Sequence, residues 1–218
     1  MFMEEKQSFP ISQDSDLEIP KTEKEVSSII KKFYKSNIPI EIIGSGSKRK
    51  IGKPLQCGKT LDLSQLDGII EYLPEELYIK VKAGTRIDKI ENELKKKNQH
   101  LAFEPIDFGY LFLDKSNCGT AGGQVACNIA GPRRLKSGSI RDHILGFRAV
   151  NGRGEIIKSG GNVVKNVTGY DLSKLICNSF GTLAAITEIT FKVLPSAAEN
   201  RTLVVHNLNI ESSMEYLH

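Results

Sequence analysis

The sequence predicts an α+β fold, and three observations predict it. Thr22 with Glu25 three residues later is a capping box that opens a helix. The apolar run Ile38 to Ile43 behind it reads as a buried strand ending at Gly44. Two pairs of strand-like runs then face each other across short turns, one at Pro74-Glu75-Glu76 and one at Asn151-Gly152-Arg153-Gly154. With 218 residues, 39% of them hydrophobic, the chain can bury a core without metal or disulfide staples, as one domain or two small lobes.

The elements follow in order. Residues 1–18 lack periodicity and read as a flexible N-terminus. The first helix runs to about Ser36 with Val26, Ile29, Ile30 and Phe33 on one face. After the strand at Ile38 to Ile43 comes a polar, glycine-bearing turn, Gly44-Ser45-Gly46-Ser47-Lys48. Strands at Ile69 to Leu73 and Leu77 to Lys82 follow, and Thr85 then opens an amphipathic helix through Ile87, Ile90 and Leu94. From Gly109 to Gly138 the chain is dense in Gly, Ala, Ser and Asn, which lowers helix and strand propensity and lets backbone approach a ligand closely. Ile144 to Val150 and Glu155 to Lys158 make a hairpin, and Leu183 to Leu194 reads as a long closing strand. Arg201 to His206 begins another strand and Ile210 a helical pattern, a βα unit that reads as the start of a further domain.

Charge and cysteine usage exclude several function classes. The 30 basic and 26 acidic residues are spread along the chain, with no single-sign block and no basic stripe interleaved with aromatics, so nucleic acid is not indicated. Cys57, Cys118, Cys127 and Cys177 show neither CxxC spacing nor a histidine partner, which argues against a zinc site or a redox dithiol, and scattered thiols point to the cytoplasm. The first residues are acidic and polar where a secretory signal needs a basic end and an apolar run. No stretch reaches membrane-spanning length, so membrane contact would come through partners. His100, His143, His206 and His218 form no motif, and no catalytic residue and no metal site is assigned.

The loop Gly44-Ser45-Gly46-Ser47-Lys48 can turn successive N–H groups toward one point as an anion-binding nest; a tight turn after a strand explains the same residues. A Rossmann reading fails because the third glycine of GxGxxG would fall at Arg49. A Walker A reading fails at Gly58-Lys59-Thr60, since five residues separate Gly52 from Gly58 and Leu61-Asp62-Leu63 continues as strand. A second block, Cys118 to Gly131, has small residues at nearly every position. It suits a helix start pressed flat against a large planar ligand, with N–H groups offered to phosphate and ring heteroatoms, or else tight backbone packing between two lobes.

Three blocks in this order, the loop at Gly44, Thr120-Ala121-Gly122-Gly123, and Asn178-Ser179-Phe180-Gly181-Thr182-Leu183, resemble the FAD-binding domain of the vanillyl-alcohol oxidase and p-cresol methylhydroxylase (PCMH) superfamily. The string Lys165-Asn166-Val167-Thr168-Gly169-Tyr170-Asp171-Leu172, followed by Ser179 to Glu188, is similar to flavoprotein 2-hydroxy-acid dehydrogenases. Gly131-Pro132-Arg133-Arg134 with Gly138-Ser139-Ile140-Arg141-Asp142 narrows the resemblance to the FAD-binding subunits of glycolate oxidases, over residues 18–206.

The resemblance implies a PCMH-type FAD-binding domain with two α/β subdomains, at 19–83 and 84–198, and a truncated C-terminal cap domain beginning at 199–218. It implies that Gly44, Ser45, Gly46, Ser47 and Lys48 hold the FAD pyrophosphate, and Ser47 stands where covalent members carry a flavin-linking histidine, so binding is non-covalent. It puts Gly122, Gly123, Ala126, Asn128 and Gly131 along the flavin and phosphate channel and Gly181, Thr182 and Ile186 near the adenine end, and it counts Thr120 and Gly138 among the cofactor-binding residues. Ile43 departs from the pattern by replacing an arginine, and Asn178 and Ala184 replace glycines. Cys118 sits about where bicovalent relatives attach flavin, but without the partner histidine it reads as a free thiol.

The function implied is that of an FAD-binding, electron-relaying subunit of a glycolate oxidase complex, inactive alone, with a partner flavoprotein subunit and an iron-sulfur subunit. Its location would be cytoplasmic, peripheral to the inner membrane through the complex. The alternatives are the flavin domain of a self-sufficient D-lactate-type dehydrogenase and a non-catalytic assembly module that has lost flavin. A reductase of a UDP-linked sugar shares the superfamily fold, but the Gly-Tyr-Asp-Leu and Gly-Thr-Leu strings fit it less well.

Overall fold

A computed structural model describes residues 17–53, 55, 57–112, 116, 119–161 and 170–216. The expectations for residues 1–16, for Cys118 and for 165–169 lie outside these residues. The fold is α+β, as the sequence predicts.

The chain begins with β1 (Leu17–Glu18), α1 (Glu23–Lys35), β2 (Ile40–Ile43) and β3 (Lys59–Asp62); the three strands form a parallel sheet in the order β1-β3-β2. Helix α1 starts where its capping chemistry dictates. The Thr22 hydroxyl accepts the N–H of Glu25 at 3.2 Å, while the Glu25 carboxylate reaches back to the N–H of Lys21 at 2.7 Å, one residue earlier than a strict capping box. Val26, Ile30 and Phe33 are buried along one face.

Next come β4 (Ile69–Leu73), β5 (Tyr78–Lys82), α2 (Ile87–Lys95) and β6 (Gln99–His100). Helix α2 buries Ile87, Ile90 and Leu94 as its periodicity requires. Thr85 does not cap it: its hydroxyl accepts from the Gly68 N–H at 2.9 Å and donates to the Gly68 carbonyl at 3.1 Å, and the N-cap is Arg86, whose guanidinium bonds the Asp88 carboxylate and makes no side-chain cap to the helix N–H groups. The small-residue region yields the short helices α3 (Gly109–Phe112), α4 (Ala121–Cys127) and α5 (Arg134–Ser137).

The chain then forms the hairpin β7 (Ile144–Asn151) and β8 (Ile156–Gly160), followed by α6 (Leu172–Ile176), β9 (Ala184–Lys192), β10 (Leu194–Pro195) and α7 (Ile210–Tyr216). Among the described residues, β4, β5, β9, β7 and β8 make one antiparallel sheet in that order. Strand β5 therefore pairs with β9, so the expected lobes 19–83 and 84–198 share a continuous sheet. Two cores lie on its opposite faces. Val26, Ile30, Leu61 and Leu66 pack with Val150 and Ala185 on one side. On the other, Ile79, Ile90, Phe103, Val125, Ile189 and Phe191 pack together. Strand β9 buries Ala184, Ala185, Ile186, Ile189 and Phe191, with Thr187 and Thr190 among them, because it is covered on both faces.

The strand expected over Arg201–His206 does not form. These residues are exposed, Leu203 at 86%, and pair with no other described segment; β propensity without a partner ladder makes no strand.

The α1 layer is fastened to the large sheet by charge. Glu23, in the first turn of α1, accepts from the Arg148 guanidinium on β7 and from the Thr187 hydroxyl on β9 at 2.7 Å. Burial pushes the Glu23 carboxyl up, but the bonds from Arg148 and Thr187 outweigh it and hold the group below the usual carboxylate range. A depressed carboxyl pKa stabilises the fold above the unfolded-state value, and that stabilisation is lost as pH falls through the folded-state value. Replacing Arg148→Met is expected to cost about 2 kcal/mol at neutral pH. Urea unfolding at stepped pH should show the gap between wild type and variant closing below the normal carboxylate range; a gap independent of pH would remove Glu23 from this role.

Candidate functional site

The turn after β2 and the start of α4, far apart in sequence, meet at one cavity of about 330 Å³. Its lining includes Gly44, Ser45, Gly46, Ser47, Lys48, Thr120, Gly122, Gly123, Ala126, Gly181, Thr182 and Ile186. The approach is close enough to require glycine: a Cβ on Gly44 would lie 2.3 Å from the Thr120 hydroxyl.

The two stretches contribute differently. Gly46 takes φ +68, turning the chain sharply after β2. Among the described residues, the N–H groups of Gly46 and Ser47 meet no protein acceptor. The Lys48 ammonium lies over the Phe108 ring, 5.6 Å from its centroid, which fixes the charge at the loop's end. This end of the cavity offers donors and positive charge.

At α4 the expected donors are already engaged. The N–H of Ala121 bonds the Thr85 carbonyl at 2.8 Å, that of Gly122 bonds the Ala83 carbonyl at 2.8 Å, and that of Gly123 bonds its cap Thr120 at 3.3 Å. Helix α4 therefore offers shape in place of the amides read from the sequence. A Cβ on Gly122 would meet the Ala83 Cβ at 2.9 Å, so this glycine seats the helix against the end of β5. A Cβ on Gly123 would meet only the Thr120 hydroxyl, at 3.3 Å, leaving a smooth floor under the cavity.

The far wall is the turn from Asn178 to Thr182. Asn178, Phe180 and Gly181 all have positive φ, and N–H bonds from Asn178 to the Val125 carbonyl (3.1 Å) and from Phe180 to the Ala126 carbonyl (2.8 Å) tether the turn to the end of α4. The left-handed backbone at Asn178 is one that glycine adopts freely and that asparagine tolerates better than most other residues.

Three residues expected to bind the cofactor lie outside this cavity's lining, with their N–H groups in use. Asn128 is the left-handed C-cap of α4; its N–H bonds the Gln124 carbonyl and its side-chain oxygen accepts from the Arg141 N–H at 3.1 Å. Gly131 donates to the carbonyls of Phe103 and Glu104 and is pressed against the Glu104 side chain. Gly138, at φ +83, closes α5 with a bond to the Arg134 carbonyl.

Sequence reasoning missed Glu41, Arg49 and Phe180, all in the lining. Arg49 bonds Glu41 through both guanidinium arms, with Nε to Oε1 at 3.0 Å. A lone carboxylate inside the apolar run Ile-Glu-Ile-Ile was the available signal. Cys127 also lines the cavity, and burial pushes its thiol up; Cys177 is pushed up to about 12 by the same cause, so neither presents a thiolate. No helix among the described residues is long and apolar enough to cross a membrane.

Comparison with known proteins gives a consistent result. The glycolate oxidase subunit GlcE of Escherichia coli K12 is 46% identical over 157 residues, which is 72% of this chain and 43% of that protein. A D-lactate dehydrogenase of Anaerostipes hadrus is 32% identical over 86% of this chain and 38% of its own length. Among solved structures, an alkyldihydroxyacetonephosphate synthase shares the fold with a TM-score of 0.63 at 22% identity, over 82% of this chain and 31% of that one. The chain thus spans less than half the length of each. Residues 17–160 match the family described as FAD binding domain, and the chain belongs to that family.

Proposed function

We propose that this chain binds FAD non-covalently in the cleft between the 44–48 turn and α4, as the FAD-binding, electron-relaying subunit of a glycolate (2-hydroxy-acid) oxidase complex. The observation that carries the reading is the convergence of the two glycine stretches on one cavity, with its uncommitted amides at one end. The likeness to the GlcE subunit supports the choice of complex.

FAD supplies the redox chemistry when bound; the protein supplies position and electrostatics. The amides of Gly46 and Ser47, with the Lys48 ammonium, would hold the pyrophosphate. Gly123 would let it lie flat on α4, and Thr120, Gly122 and Ala126 would shape the same floor. Ser47 carries no imidazole through which a flavin could be linked. The substrate site would belong to a partner flavoprotein subunit, and an iron-sulfur subunit would take the electrons. The complex would be cytoplasmic, reaching the inner membrane only through partners.

The test is an absorbance spectrum of the chain after incubation with FAD and gel filtration, then after acid precipitation. A yellow protein that releases all its flavin to the supernatant is expected. A colourless protein would leave the assembly-module reading, and a yellow pellet would overturn non-covalent binding. The likeness to D-lactate dehydrogenases over 86% of the chain favours a second reading, a self-sufficient flavin domain. Oxidation of D-lactate with an artificial acceptor and no partner subunit would select it.

A further inference from the structure

The cavity is polar at one end and apolar at the other. Ile40 and Ile42 of β2 line the cavity together with Phe180, Gly181 and Ala184, and a Cβ on Gly181 would stand 3.5 Å from the Cβ of Ile42. Phe180 is anomalous here on two counts. Its φ of +51 is a left-handed conformation that a bulky residue adopts only under strain. The residue is also 53% exposed, so core packing does not account for an aromatic at this point. The tethers that impose the backbone, from Asn178 to Val125 and from Phe180 to Ala126, are main-chain bonds that glycine would make equally well. The fold therefore holds a solvent-facing phenyl ring at the mouth of the cavity at its own expense.

We infer that Phe180 is an aromatic platform on which the purine ring of the bound dinucleotide stacks, at the apolar end of the cleft. The inference rests on the FAD reading above and adds to it a residue and the ring that residue recognises. Phenyl rings stack on any base face, and the contact needs no hydrogen-bond partner, which suits a slot walled by isoleucine and alanine. The bicyclic purine is the smaller of the two rings in FAD, and a cavity of about 330 Å³ that must also admit the phosphates suits it better than the tricyclic flavin.

Three variants and three probes test this. Calorimetric titration of wild type with FAD, ADP and FMN establishes the baseline; wild type that binds no FAD sinks the underlying reading, not this inference alone. Phe180→Ala is expected to weaken ADP and FAD by about tenfold and leave FMN unchanged. Phe180→Gly relieves the strained backbone, so its melting temperature should match or exceed wild type while ADP binding still falls; a purely structural phenylalanine would show the reverse. The protein has no tryptophan, so Phe180→Trp installs a single indole that can be excited selectively over the six tyrosines, and ADP should quench its fluorescence. Unchanged ADP affinity in Phe180→Ala, a loss of FMN binding in place of ADP, or Trp emission indifferent to saturating ADP would each overturn the platform.

Discussion

Gly123→Glu is expected to abolish FAD uptake while leaving the protein folded. The geometry separates the two effects: a Cβ at 123 meets only the Thr120 hydroxyl at 3.3 Å, so a side chain can leave the helix into the cavity without disturbing the core. What it carries there is a carboxylate, beside the turn proposed to hold a diphosphate. Two like charges about 4 Å apart at an effective dielectric of about 20 repel by roughly 4 kcal/mol, which is about a thousandfold in affinity. Gly123→Ala is the control. It adds a methyl without charge, improves helix propensity by up to about 1 kcal/mol, and should keep most of the binding. Equilibrium titration with FAD, alongside circular dichroism to confirm folding, reads both. A folded Gly123→Glu protein that still turns yellow would refute the placement of FAD over α4.

Gly84→Ala is expected to destabilise the fold strongly. Gly84 follows Ala83 at the exit of β5, where a Cβ would fall 2.3, 2.7 and 2.8 Å from the carbonyl oxygens of Leu63, Ser64 and Leu66. Those oxygens belong to a turn anchored by the buried side chains of Leu63 and Leu66, so they cannot swing away as a flexible side chain would. Overpacking against backbone on this scale costs about 3 kcal/mol. For a chain of this length, that is a drop of about 10 °C in melting temperature. The damage should also reach the cleft, because the Ala83 carbonyl accepts the Gly122 N–H that seats α4. Gly152→Ala, where an added Cβ meets nothing within 4 Å, should melt with wild type. Equal melting temperatures for the two alanine variants would show that the 63–66 turn yields more easily than this packing allows.

The parts of the fold legible in the sequence are those fixed by local chemistry. The cap at Thr22, the helical periods of α1 and α2, and the hairpin across 151–154 each follow from residues within a few positions of one another. The convergence of the Gly44 turn with the Thr120 block followed from a resemblance, with small residues as its local trace. What local signals do not carry is pairing across sequence. The junction of β5 with β9, which merges the two expected lobes, joins residues about a hundred positions apart and leaves no mark in either strand. The same holds for the α4 amides. Glycines announce a close approach, yet only the fold reveals that Ala83 and Thr85 arrive first and take the donors. Arg201–His206 errs in the opposite direction, since its composition favours a strand and no described segment pairs with it.

The order β4-β5-β9-β7-β8 puts the last of these five strands in chain order into the middle of the sheet. A nascent chain therefore makes two separate hairpins, each with an open inner edge, and must wait for residues 184–192 before either edge is covered. Closure that depends on such distant partners is slow, and uncovered edges invite pairing with other chains in the meantime. Yield in expression should accordingly respond to synthesis rate and chaperone supply more than to the stability of the finished protein, and fragments ending before residue 184 should collect as aggregates.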